Sequence, residues 1–163
     1  MKISLIGPLT KLGLLLAVLI FAFDQLSKFW ILRIINLDER EPIQITPFLD
    51  LVMAWNRGVS YGLLETHAQE ALIVLSFIIC AVLLVWLARV KHPLQAAAIG
   101  IIIGGAIGNA LDRILHGAVA DFVLLHWGNW NWYVFNVADI AIVAGVALLL
   151  YDSLLSGGNE KSG

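Results

Sequence analysis

The sequence predicts an all-α polytopic membrane protein: four transmembrane helices with a small β-rich extracytoplasmic element after the first helix. Three observations lead there. The chain is 60% hydrophobic and only 13% charged, with a mean hydropathy of +0.89, whereas soluble domains are about 45–50% apolar and about 25% charged. Four segments approach the roughly 20 mainly apolar residues that a helical span needs. Finally, 163 residues leave no room beyond those spans and their connections, so 1–163 reads as a single membrane-embedded domain. The net charge of −2 is uninformative, and with no basic patch in the sequence no nucleic-acid partner is expected.

The first span is expected over 12–35. Lys2 and Lys11 precede it and imitate a secretory signal, but Asp24 and Gln25 stand where small residues would mark cleavage, and the helical pattern continues through FWILRII. It therefore reads as retained. An outer loop follows over 36–70, in which PIQITPFLDLVMAWNRGVSYGLL mixes short β-prone runs with Pro, Asn and Gly. That pattern predicts a small hairpin or curved sheet on the bilayer surface.

The second span is expected over 71–87 and holds Cys80, the chain's single cysteine. Alone in an apolar run, it is a small buried hydrophobe and neither half of a disulfide nor a metal ligand. The third span, 96–116, repeats Gly100, Gly104 and Gly108 at four-residue spacing, a pattern that lets helices approach closely. Gly105, Gly108, Asn109, Asp112 and His116 fall within roughly a third of its circumference. Gly117 reads as the stop, which leaves Asp121 in a turn. The second outer loop, 117–133, carries Trp127, Trp130, Trp132 and Tyr133, which read as an interfacial aromatic belt, with a substrate-contacting role as the alternative. In the fourth span, 134–151, Asn136 and Asp139 share a face near the outer end.

Four spans put both termini on one side. Lys2, Lys11, Arg89, Lys91 and Lys161 lie on that side, against Arg40 and Arg57 in the opposite loops. Lysine and arginine excess marks the cytoplasm, so cytoplasmic termini are expected. Lys28, Arg33 and Arg113 fall near the outer helix ends.

Ionisable groups within spans are costly and mark functional sites by default. Local partners separate the four aspartates. Asp24 has Lys28 one turn on, and Asp112 has His116 one turn on. Arg113 points away from Asp112 and is free to pair with another span, with Asp24 as a candidate. Asp24 and Asp112 thus read as structural ion-pair members. Asp121 and Asp139 have no cation at three or four residues. Carboxylates in that position near hydrocarbon hold or share a proton, and two together would titrate as one unit, as in aspartic proteases. They are the candidate catalytic pair. Rival chemistries are weaker: His67, His92, His116 and His126 lack metal-site spacing, Ser27 and Lys28 diverge on one helix, and Cys80 lies deep. A meeting of Ser60 or Ser76 with Lys28 stays open.

At these residues the chain closely resembles the lipoprotein signal peptidases (signal peptidase II). The matching blocks are DQLSK from Asp24, WNRGVSYG from Trp55, GNALDRILHGAVADF from Gly108 and FNVADIAI from Phe135, spread over most of the chain in the family's order. The resemblance implies a bacterial inner-membrane aspartyl endopeptidase that cuts the signal peptide from diacylglyceryl-modified prolipoproteins just before the lipidated cysteine. It implies Asp121 and Asp139 as catalytic, with Asp24, Lys28, Asn56, Gly58, Asn109, Asp112, Arg113 and Asn136 supporting them or contacting substrate. No metal or cofactor is expected. The implied partners are lipid-modified prolipoproteins and membrane lipids, and a monomer is expected. The chain departs from the family pattern at Val59-Ser60-Tyr61, where Ala-Ala-Phe is frequent.

Two readings of another class compete. A small proton-coupled transporter or channel would also place carboxylates in the membrane, but it needs ionisable groups at several depths. Here Asp24, Asp112, Asp121 and Asp139 gather towards one side, with Asp152 alone at the other. A non-catalytic assembly factor would use the same groups only as polar glue.

Overall fold

The computed structural model describes residues 6–58, 65–128 and 130–159. Lys2, Lys161 and the Val59-Ser60-Tyr61 stretch, which entered the reading above, lie outside the described residues. Among the described residues, four helices are long and apolar enough to cross a membrane. The first, α1, covers Thr10–Phe29 and runs on as a π-helical turn over Trp30–Ile34. The second, α2, covers Glu65–Leu87, with Ala68–Leu87 as its spanning part. The third, α3, covers Pro93–His116, and the fourth, α4, covers Val137–Asn159.

Local chemistry explains the bounds of α3. Pro93 stands in the first turn, where a missing N–H leaves no bond unmade. Gly117 ends the helix at φ 66°, and its N–H donates to the Arg113 carbonyl at 3.0 Å, an arrangement that favours glycine.

The bundle is built around α3. Its spanning segment is 61% buried, against 17–22% for the other three, and it packs on α1, α2 and α4. The glycine spacing is what allows this. A Cβ on Gly104 would sit 2.5 Å from the Ala17 carbonyl oxygen, one on Gly100 would run into the Gly13 backbone, and one on Gly108 into the Asp24 carboxylate. Cys80 is buried in the apolar core with Leu83, Leu87, Ile99 and Ile103.

The segments between helices pair into one antiparallel sheet of order β1-β2-β3-β4. Its strands are β1, Ile43–Thr46; β2, Leu49–Asn56; β3, Val119–Trp127; and β4, Trp130–Phe135. Three expectations are corrected here. The sheet is not confined to the segment after the first helix, because half of it comes from 117–133, expected as loop. Val134 and Phe135 end β4 instead of opening the fourth span. Asp121 lies on β3 and not in a turn. The physical reason is pairing: an isolated hairpin is marginal, and the VADFVLLHW and WNWYVF runs give β1 and β2 two further strands. Gly128, at φ 58°, supplies the positive φ that so short a hairpin connection needs. Ile31, Leu37 and Phe122 form a second core that ties the sheet to the end of α1.

Candidate active site

Asp121 and Asp139 come from different elements and meet through a shared set of amides. Asp121 is 2% exposed and pairs across the sheet with Ala54. Asn56 is two residues beyond Ala54, on the same face of β2 and diagonal to Asp121, a spacing side chains can bridge. Its Nδ2 donates to Asp121 Oδ2 at 3.0 Å. The Asn56 amide is itself oriented by the Gly58 N–H, which donates to Asn56 Oδ1 at 2.8 Å. Gly58 adopts φ 76° to do this, a region costly to residues with a Cβ.

The start of α4 supplies the rest. Asn136 is fully buried and precedes the first helical residue, in the N-cap position. The Asp139 N–H donates to Asn136 Oδ1 at 3.0 Å, while the Asn136 N–H donates to Asp139 Oδ2 at 3.2 Å. This reciprocal arrangement is a capping box, and it places Asp139 on the first turn with its carboxylate turned back. The side-chain Nδ2 of Asn136 reaches the other aspartate, donating to Asp121 Oδ1 at 2.7 Å. From α3, Asn109 Nδ2 donates to Asp139 Oδ1 at 2.8 Å.

Burial pushes the Asp121 carboxyl up to about 6 from its ordinary 3.8. The Asp139 charge adds to the rise, while the amides of Asn56 and Asn136 and the charge of Lys28 oppose it. Desolvation outweighs the donors because the group is almost wholly removed from water.

The remaining residues of the reading divide into two sets. Lys28, Asp24 and Asp112 form a buried triad, with Lys28 Nζ 2.8 Å from Asp24 Oδ2 and 2.9 Å from Asp112 Oδ2. The Asp24–Lys28 pair is as read from the sequence. The pairing of Asp112 with His116 is corrected: Asp112 faces α1 across the close contact at Gly108, and His116 lies against Trp55 with ring centroids 5.4 Å apart and planes tilted by 54°. Arg113 does not pair with Asp24, which Lys28 already occupies. Its guanidinium interacts with the charges of Asp139, Asp121 and Asp112, its Nη1 donates to the Asn109 carbonyl at 3.2 Å, and its buried Nε has no partner among the described residues.

Gln25 was not singled out in the sequence, yet its amide lies between Asp24 and Asp112; only its place beside Asp24 hinted at this. Ser27 and Ser76 hydroxyls donate to helix carbonyls, of Asp24 and Leu72, and neither meets Lys28. Among the described residues no three His, Cys, Asp or Glu side chains converge to hold a metal. Asp152 is buried apart from the others and accepts from Gln95.

Fold and site together define a multi-pass membrane protein with a carboxylate pair, buried Asp121 and partly buried Asp139, at one end of its helix bundle. A model of the signal peptidase (SPase) II family matches residues 16–155. The chain is 48% identical over 155 residues to the lipoprotein signal peptidase of Methylocella silvestris, covering 93% of this chain and 91% of that one. It is 49% identical over 150 residues to that of Nitrobacter hamburgensis, covering 88% and 92%. A bacterial membrane enzyme solved by the in meso method at 2.3 Å superposes with a TM-score of 0.78 at 27% identity, covering 94% of this chain and 93% of the other. The chain belongs to the signal peptidase II family, and is thus a membrane protease.

Proposed function

We propose that the chain removes signal peptides from diacylglyceryl-modified prolipoproteins as an aspartic endopeptidase, cutting before the lipidated cysteine. The observation that carries this reading is the double use of Asn136, whose backbone N–H holds Asp139 while its side chain holds Asp121. Two carboxylates tied to one residue, with Asp121 pushed up to about 6, are suited to sharing one proton near neutral pH. The ionised partner takes a proton from the attacking water, and the protonated partner polarises the scissile carbonyl. Arg113 and the three asparagines orient the pair, and the buried Arg113 Nε, without a partner among the described residues, is free to donate to the substrate backbone.

The site sits where α1, α3 and α4 meet the sheet, so the substrate's acyl chains stay in lipid while its peptide reaches the carboxylates. The lysine and arginine distribution supports cytoplasmic termini in the bacterial inner membrane, with the sheet and site towards the outer face. The exposed rings of Trp127, Trp130, Trp132 and Tyr133 suit contact with lipid headgroups. The test is incubation of the purified protein with a diacylglyceryl-modified prolipoprotein, reading release of the signal peptide. Wild-type protein should release it, and Asp121→Asn and Asp139→Asn should not. Substantial turnover by Asp139→Asn would remove the aspartic assignment.

A further inference from the structure

Each carboxylate of the proposed pair ends the same tripeptide: Val119-Ala120-Asp121 on β3 and Val137-Ala138-Asp139 at the start of α4. In both copies a buried carboxylate from another element holds the alanine N–H. The Ala120 N–H donates to Asp112 Oδ2 at 3.1 Å, and the Ala138 N–H donates to Asp24 Oδ1 at 3.0 Å. Asp112 therefore holds β3, and Asp24 holds the first turn of α4, each one residue before a catalytic carboxylate.

These two holding carboxylates are joined. Lys28 directs its three N–H donors at Asp24, Asp112 and Asn109 Oδ1, the last at 3.3 Å. One cation between two carboxylates leaves an excess negative charge, and like charges in a poorly solvated site repel strongly. The Gln25 amide lies in that gap, with Nε2 3.0 Å from Asp24 Oδ2 and 3.2 Å from Asp112 Oδ1. Its two N–H donors serve both groups without adding charge.

We propose that Gln25 is a positioning residue: with Lys28 it fixes the spacing of Asp24 and Asp112, and through the Ala138 and Ala120 N–H groups it sets the separation of the Asp139 and Asp121 carboxylates. Gln25 makes no hydrogen bond to either catalytic carboxylate. The inference rests on the aspartic reading above. The charged groups around the pair are Asp24 and Lys28 from α1 and Asp112 and Arg113 from α3, while β2 contributes the neutral Asn56.

The experiment compares wild type, Gln25→Met and Gln25→Glu on a diacylglyceryl-modified prolipoprotein peptide, measuring kcat, KM, the pH–rate profile and the melting temperature in detergent. Methionine keeps the volume and removes the donors. A displacement of about 1 Å at a reacting pair costs on the order of 100-fold. Gln25→Met should therefore lose roughly 10- to 100-fold in kcat, with KM within about twofold of wild type. Its pH–rate bell should narrow, because carboxylates that drift apart interact less and their two apparent values converge. Gln25→Glu should lose more as pH rises and recover towards acid, where a protonated carboxyl again donates.

Equal losses through KM, or an unchanged pH–rate bell whatever the melting temperature does, would overturn the positioning role. Asp121→Asn and Asp139→Asn run alongside. If both are inactive and Gln25→Met keeps wild-type kcat, the positioning inference alone fails. If either retains turnover, the aspartic reading fails and the inference with it.

Discussion

Replacing Asp121 by Asn should change how stability depends on pH, by an amount the structure sets. The wild-type carboxyl titrates at about 6 in the fold and at 3.8 in an unexceptional setting. Between those values the folded protein holds a proton that the unfolded chain has released, so stability falls as pH rises through the window. The contribution is fully present below 3.8 and lost above 6. About two units at about 1.36 kcal/mol each make a swing of about 3 kcal/mol. The asparagine variant keeps the volume and cannot titrate there.

Asparagine does bring a second amide against the Nδ2 donors of Asn56 and Asn136, which costs about 1–1.5 kcal/mol for the bond lost. That offset is the same at every pH, and the other titrating groups are common to both proteins. The slope of the difference between the two is therefore the readout. Denaturant titrations in mixed micelles at half-unit steps from pH 4 to 8 should show the variant gaining on wild type by about 3 kcal/mol, mostly below pH 6. Parallel curves would refute the reasoning, because Asp121 would then titrate as an exposed carboxylate does.

Further outcomes are expected. Gly58→Ala forces a Cβ into a left-handed conformation and against Leu72 Cδ1 at 2.7 Å, at about 1–2 kcal/mol for the backbone. Turnover should fall as Asn56 loses its orientation, and the melting temperature should drop by a few degrees, about 2–4 °C per kcal/mol; wild-type turnover would remove Asn56 from the site. Gly108→Ala drives a methyl group into the Asp24 carboxylate and should cost about 1–3 kcal/mol or more by parting α1 from α3, read as a lower melting temperature. Cleavage should persist in strong chelators, since two carboxylates and a water suffice for the proposed chemistry; loss restored by added zinc would defeat the reading. The pH–rate profile should be a bell whose limbs belong to the pair, and a single limb flat into strong acid would show that no shared proton is needed.

Much of the fold was legible because spans are set by one-dimensional quantities. Hydrocarbon thickness demands a fixed length of apolar chain, and the four-residue glycine spacing already marked which face of α3 would meet another helix. Asp121 and Asp139 stood out by the same local logic: neither has a cation within a helical turn along the chain. Asp24 with Lys28 was readable because both partners lie on one helix.

What tertiary structure decided depends on contacts between segments far apart in the chain. Only assembly brings Lys28 within 2.9 Å of Asp112, taking it from the His116 expected by helical spacing, because Gly108 lets α1 and α3 approach so closely. Arg113 is not drawn to Asp24, which Lys28 already holds, and donates instead to the Asn109 carbonyl. Asp121 is on a strand only because β2 is present to pair with it, and Asn136 bridges both carboxylates only because β4 ends where α4 begins. Local sequence limits what each residue can do; the choice among possible partners is made by distance in three dimensions, which no spacing along the chain encodes.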